Sequence, residues 1–257
     1  MVARNLRHTM TSYARSSESG EVTEAPGVLM VNSGVPYAVF NSALLTESFS
    51  GDITGIERTV RLAADHYRRR RLPWSCWTCD DFYLDGVRDL APRVFGRLGL
   101  RMVAEHQGMI ADRVAPLDRP LPAMEVREVK EDATRRDFVR VAADVFYVPG
   151  KVAGRVYGSD RFWRGHMVGW VGYVQGRPVS IAATDTDAAA VGVYSVGTIS
   201  GLRGRGYGEC VTRHAVESAQ RATGHHRSTL QSTLAGLALY RRLGYRPASR
   251  FSVYVSE

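Results

Sequence analysis

The sequence predicts an α/β (α+β) fold in two units, a larger C-terminal one and a smaller αβ unit before it. Three stretches carry that reading. Residues 193–212 open with strand formers, place Gly204, Gly206 and Gly208 in a turn, and continue with Cys210, Val211, His214, Ala215 and Ala219 at helical spacing. Residues 227–245 read as a strand, a short helix and Gly244 as its C-cap. Phe95-Gly-Arg-Leu-Gly-Leu-Arg101 echoes Tyr240-Arg-Arg-Leu-Gly-Tyr-Arg246, and each precedes a predicted strand. A chance recurrence of a Leu-Gly helix end is the alternative to that echo.

Taken in order, residues 1–25 form a polar N-terminal segment, with Ser16-Ser-Glu-Ser-Gly20 as a loop. A first αβ unit spans residues 26–115. It holds strands near 28–31 and 37–45, a helix over 53–70, a strand over 74–79, a helix over 87–97 and a strand over 102–112. Pro116, Pro120 and Pro122 mark residues 113–123 as a linker. The second unit, 124–257, begins with a strand over 125–129. Asp132 is the expected cap of a helix whose Phe138, Val141, Ala142 and Val145 share one face. A helical stretch over 150–163 follows, then a hairpin of 168–174 and 179–184 about Gln175-Gly-Arg-Pro178. The strand 191–198 feeds the glycine turn, and a last strand lies near 249–255.

The chain has 257 residues, 44% hydrophobic and 23% charged, as expected for a soluble globular protein. No apolar run is long enough for a membrane span. Arg4, Arg7, His8 and Arg15 stand where a secretory signal would need an apolar stretch, so a cytoplasmic location is the expectation. The net charge of +8 suits a polyanionic ligand. Its arginines are scattered and no nucleic-acid-binding motif is present, so nucleic acid is not the expected partner. Cys76 and Cys79 form C-W-T-C on a strand, where alternation places them on opposite faces. They read as buried structural thiols, and no metal site is expected.

The chemistry sits in the glycine turn. A strand, a glycine-rich turn and a helix N-terminus aim several backbone N–H groups and a partial positive charge at one point. Glycine lets an anion approach the backbone closely, and Arg203 and Arg205 add forked donors. The turn is thus a candidate pyrophosphate cradle. It is not a P-loop, because no lysine lies in it. It is not the dinucleotide fingerprint either, because residue 209 is Glu where a third glycine would stand.

What remains is Arg203-x-x-Gly206-x-Gly208, followed at the right distance by a strand end and a Tyr240-x-x-x-Gly244-Tyr245 helix. The pair resembles the acetyl-CoA-binding motifs of the GCN5-related N-acetyltransferases, over residues 124–257. That resemblance implies a mixed sheet with splayed central strands flanked by helices. It implies acetyl-CoA as acyl donor and an amine acceptor, expected to be a small molecule. A homodimer is compatible with it. It implies a cofactor site of Val196, Gly197, Thr198, Arg203, Gly204, Arg205, Gly206, Tyr207, Gly208, Glu209, Thr233 and Tyr240. Within that set the Val196 N–H would serve the oxyanion and Tyr240 would be the general acid. Residues 26–115 then read as a partial acetyltransferase-like repeat that lacks the glycine loop.

This sequence departs from the family's pattern in two ways. Thr233 stands where Asn or Ser is usual, though its hydroxyl can still bond the pantetheine. The strand 191–198 carries no carboxylate or histidine to act as base. Asp185, Asp187 and His166 are candidates by position alone, each with a turn or surface role as the simpler expectation. A non-catalytic acyl-CoA-binding module is the second functional reading.

Overall fold

The computed structural model describes residues 1–50, 53–186 and 189–256. The chain runs α1 (Val2–Arg15), β1 (Glu21–Ala25), β2 (Val28–Asn32), β3 (Asn41–Leu45), α2 (Thr54–Arg70), β4 (Ser75–Cys79), α3 (Val87–Arg97) and β5 (Leu100–Ala111). It continues with β6 (Glu125–Glu128), α4 (Asp132–Phe146), α5 (Gly150–Tyr157), α6 (Asp160–Trp163), β7 (Met167–Val174), β8 (Arg177–Asp185) and β9 (Val191–Thr198). Then come α7 (Tyr207–Thr223), β10 (Ser228–Ser232), α8 (Leu237–Arg242) and β11 (Arg246–Ser256). Among the described residues, eleven strands form one mixed sheet in the order β1-β2-β3-β4-β11-β5-β10-β9-β8-β7-β6.

The order at the centre shows how the two halves are joined. Each half runs strand, helix, parallel strand, helix, then a long last strand. In the first half β3 and β4 are the parallel pair; in the second, β9 and β10. The last strands change sides. β5 lies antiparallel to β10, and the C-terminal β11 lies antiparallel to β4, while β5 and β11 pair with each other. Neither half therefore completes its sheet without a strand from the other.

Most predicted elements form, with corrections at their ends and one large omission. Residues 37–40 are not strand: a 3-10 turn occupies Ala38–Phe40, and the Asn41 amide ties the approach by donating to Val35, Tyr37 and Pro73 carbonyls. The stretch over 150–163 breaks at Gly158 into α5 and α6. The N-cap of α4 is Glu131 and not Asp132; the Glu131 N–H donates to Thr134 Oγ1 at 3.2 Å. The thiols behave as expected. Cys76 and Cys79 are buried in different clusters on opposite sheet faces, and burial pushes Cys76 up to about 12 and Cys79 to about 11.

The omission lies in residues 1–25, where α1 and β1 form. Helix α1 buries Val2, Asn5, Leu6, Thr9, Tyr13 and Ala14, spaced for one helical face. Two of the six are polar and so do not register as an apolar stripe. The helix lies across the sheet centre, touching β1, β2, β5, β9 and β10. Its polar positions are satisfied by the far half of the chain. Asn5 Nδ2 donates to the Ala190 carbonyl at 3.1 Å, and Asn5 Oδ1 accepts from the Tyr194 hydroxyl at 2.6 Å. Thr9 Oγ1 donates to Asp185 at 2.6 Å, and His8 Nδ1 lies 3.2 Å from the same carboxylate oxygen.

Asp185 is accordingly neither a turn nor a surface residue. It is fully buried at the end of β8 under α1. Thr9→Val keeps the side-chain shape and removes one donor from a buried carboxylate. It is expected to lower unfolding stability by about 1.5–3 kcal/mol, the usual worth of a hydrogen bond to a charged group. Urea denaturation checks this; a change below about 0.5 kcal/mol would mean that the Thr9 bond does not hold α1 to the sheet.

Candidate active site

The site begins as a defect in the sheet. β9 and β10 pair at only two positions, Ser228 with Val191 and Thr229 with Gly192. Beyond Gly192 the two strands diverge, while β9 stays bonded to β8 as far as Thr198. A wedge opens between them, as expected for splayed central strands.

A bulge shapes the wedge. Along β8 the register steps from Ile181 opposite Gly197 to Ala183 opposite Tyr194, so Ser195 and Val196 together face Ala182. Ser195 takes a left-handed conformation with φ of 51°. The Ile199 N–H donates to the Val179 carbonyl at 3.0 Å, toward β8. Successive N–H groups of a strand point to alternate edges, so those of Thr198 and Val196 turn to the wedge. Gly197 lets α4 close over this strand: a Cβ there would stand 2.2 Å from Val145 Cγ1.

The glycine turn caps the open end of the wedge. Gly204 and Gly206 have φ of 77° and 90°, and Gly206 is the residue before α7. No side chain caps that helix. The N–H groups of Tyr207, Gly208 and Glu209, in its first turn, have no intrahelical partner. Gly208 permits close approach to β9, since a Cβ would lie 3.2 Å from Thr198 Oγ1. These features fit a pyrophosphate: donors converge, the helix dipole favours negative charge, and no Cβ fills the space.

The arginines differ from one another. Arg203 is exposed, and its Nε donates to the Thr198 carbonyl at 3.1 Å, bracing the turn on the end of β9. Arg205 is also exposed. The Glu209 side chain turns inward. It is 2% exposed and meets Arg119 at 2.7 Å, Arg242 at 3.2 Å and Arg213 at 4.0 Å. What Glu209 offers a ligand is therefore its backbone N–H, while its carboxylate ties α7 to α8 and to the chain before β6.

That connecting chain is more than a spacer. Ala115 N–H donates to the Leu243 carbonyl at 3.0 Å, and Arg213 Nη1 donates to the Ala115 carbonyl at 2.6 Å. Pro122 stands over the turn: a Cβ on Gly206 would meet its Cδ at 3.0 Å. Sequence reasoning misses Arg119, Pro122 and Arg242 at this site. The prolines mark the segment, but its partners lie about a hundred residues on.

Tyr240 lies on α8 within a cluster that includes Val193 of β9 and Leu230 of β10, with Val196 packed against it. Its ring is buried, edge-on to Tyr245 at 5.9 Å. Its hydroxyl has no hydrogen-bond partner among the described residues, and it is not one of the fully enclosed polar atoms. Burial, then the neighbouring Tyr245, pushes its pKa well above that of a free phenol. Thr233, exposed at the end of β10, leads into the 3-10 turn before α8.

The opposite face of the wedge is roofed by α1, α4 and α5. Tyr13 of α1 and Tyr157 of α5 meet there in one aromatic cluster with Phe40, Phe138 and Phe162. Of the three base candidates, Asp185 is sequestered under α1, His166 is exposed, and Asp187 lies outside the described residues. No group of three or more potential metal ligands occurs among the described residues. None of their helices is long and apolar enough to cross a membrane.

In the first half the corresponding strands stay shut. β3 and β4 pair at Ser42, Ala43 and Leu44, and the chain pairs again between Phe49 and Tyr83. At the place matching Tyr240 stands Phe95, stacked on Tyr254 at 4.2 Å.

The whole chain is similar to solved structures that share this architecture. A GCN5-related N-acetyltransferase from Kribbella flavida superposes with a TM-score of 0.74 at 17% identity, covering 100% of this chain and 95% of that one. A functionally unknown conserved protein from Staphylococcus epidermidis gives 0.65 at 13% identity, over 93% and 94% of the two chains. A tandem GNAT protein from the clavulanic acid biosynthesis pathway gives 0.56 at 12%, over 100% and 94%. No protein-family model matches this chain, and no curated protein does. The likeness lies in the fold: a single large mixed sheet flanked by helices, as in the GCN5-related N-acetyltransferases.

Proposed function

We propose that this chain, which has the GCN5-related N-acetyltransferase fold, is an acyl-CoA-dependent N-acyltransferase that uses acetyl-CoA and a small-molecule amine. The observation that carries the reading is one of position. An open wedge, an uncapped helix N-terminus and an unbonded phenol belong to one run of the chain, β9, α7, β10 and α8. Acyl-CoA would bring an activated thioester and a pyrophosphate.

The residues present suit both parts. The N–H groups of Tyr207, Gly208 and Glu209 would hold the pyrophosphate, with Arg203 and Arg205 as flanking donors. The Thr198 N–H, the Thr233 hydroxyl and the rim at Gly197 would hold the pantetheine along β9. The Val196 N–H would stabilise charge developing on the thioester carbonyl. The Tyr240 hydroxyl would donate a proton to the departing sulfur. The acceptor would enter from the face under α1, α4 and α5.

One site per chain follows from the closed β3–β4 pair in the first half. Isothermal titration with acetyl-CoA is expected to give a stoichiometry near one. Two sites would overturn the single-wedge reading, and no binding would overturn the function. Release of free CoA thiol with a panel of amines tests turnover; binding without release from any amine would leave an acyl-CoA-binding module.

A further inference from the structure

The bulge in β9 is held by two tyrosines from distant parts of the chain. Tyr13 Oη of α1 and Tyr157 Oη of α5 each lie 3.2 Å from Ser195 Oγ. Both rings are buried, and burial holds both phenols protonated by raising their pKa values. Ser195 itself has φ of 51°, a conformation that a non-glycine residue keeps only when its surroundings impose it. A serine oxygen has two lone pairs, so two phenols can donate to it together.

We infer that Tyr13 and Tyr157 form a hydroxyl clamp on Ser195 that sets the bulge, and through it the aim of the adjacent Val196 N–H, making these three positioning residues for recognition of the thioester carbonyl. This rests on the acyltransferase reading. It assigns to α1, outside the motif-bearing half, a part in the reaction. The Ser195 side chain lies on the α1 face, while the N–H of the next residue faces the wedge. Loss of the clamp lets the strand regularise over one residue. Because the N–H direction alternates along a strand, that change re-aims the Val196 donor.

The test compares the affinities of acetyl-CoA and CoA, which differ only in the acetyl group and the sulfur that carries it. Titrations are run on the full chain with Tyr13→Phe, Tyr157→Phe, Ser195→Ala and Ser195→Gly. The two Phe variants keep both rings and their packing. In each, the affinity ratio of acetyl-CoA to CoA is expected to fall by about threefold to tenfold, the range for one lost hydrogen bond, with CoA affinity itself unchanged. Ser195→Gly tolerates a positive φ and is expected to fall less than Ser195→Ala, which loses both the bonds and the support for that conformation.

Thermal melts run beside the titrations. A ratio within twofold of the parent in both Phe variants, at unchanged melting temperature, overturns the clamp. A parallel fall in CoA affinity and melting temperature, with no change in the ratio, shows a merely structural role and also overturns it. A parent chain that binds neither acetyl-CoA nor CoA overturns the acyltransferase reading beneath it.

Discussion

Replacing Tyr240 by Phe is expected to leave acetyl-CoA affinity within about twofold and to lower kcat by about 10²–10⁴-fold, the range for loss of a general acid. The ring fills the cluster with Val193, Leu230 and Tyr245, and Phe preserves that packing. Only the hydroxyl goes, and it bonds to nothing among the described residues. In the proposed mechanism its partner is the sulfur as charge leaves, so kcat and kcat/KM should fall together. Burial adds a second signature. A phenol whose pKa is raised stays protonated through ordinary alkaline pH, so this residue should not impose a falling limb on the rate below about pH 10. Steady-state kinetics with a turned-over amine decide it; a Tyr240→Phe rate within threefold of the parent, where chemistry limits turnover, would remove the hydroxyl from the mechanism.

The second large effect is expected from Gly206→Val, which should abolish measurable acetyl-CoA binding. Two costs combine. A β-branched side chain at φ of 90° is strongly disfavoured. Its Cβ would also stand 3.0 Å from Pro122 Cδ, beside the Arg119 guanidinium that anchors Glu209. The turn must therefore shift, and the N–H groups at the start of α7 lose their common aim. Arg203→Ala should act more mildly, at about 1.5–3 kcal/mol for a charge-assisted contact. Titration of both variants, with circular dichroism to show that each is folded, checks the order. Equal affinity for the parent and a folded Gly206→Val chain would mean that the pyrophosphate binds elsewhere.

The glycine turn, the helix after it and the Tyr240 helix are legible in the amino-acid sequence because they are local patterns. Left-handed glycines, a helix start and an apolar face are each written within a few neighbouring residues. The family resemblance those motifs carry is what implies the splayed central strands of the wedge. The cysteine pair is legible for a similar reason, since the two-residue period of a strand separates positions 76 and 79.

The rest depends on partners far apart in the chain. Helix α1 escapes notice because its buried face carries Asn5 and Thr9, which become favourable only when Tyr194, Ala190 and Asp185 arrive to bond them. Asp185 resembles a turn residue for the same reason. The Glu209 side chain reads as free to face a ligand until Arg119 and Arg242 claim its carboxylate, leaving the backbone N–H for that role. By itself the sequence determined the turn chemistry, the helix that follows it and the strand alternation, because each is a property of adjacent residues. Only the tertiary structure decided that the last strands cross between halves, that the first half's strand pair stays shut, and that Tyr13 and Tyr157 meet at Ser195. Those outcomes depend on burial and hydrogen bonds between residues that only the completed sheet brings together.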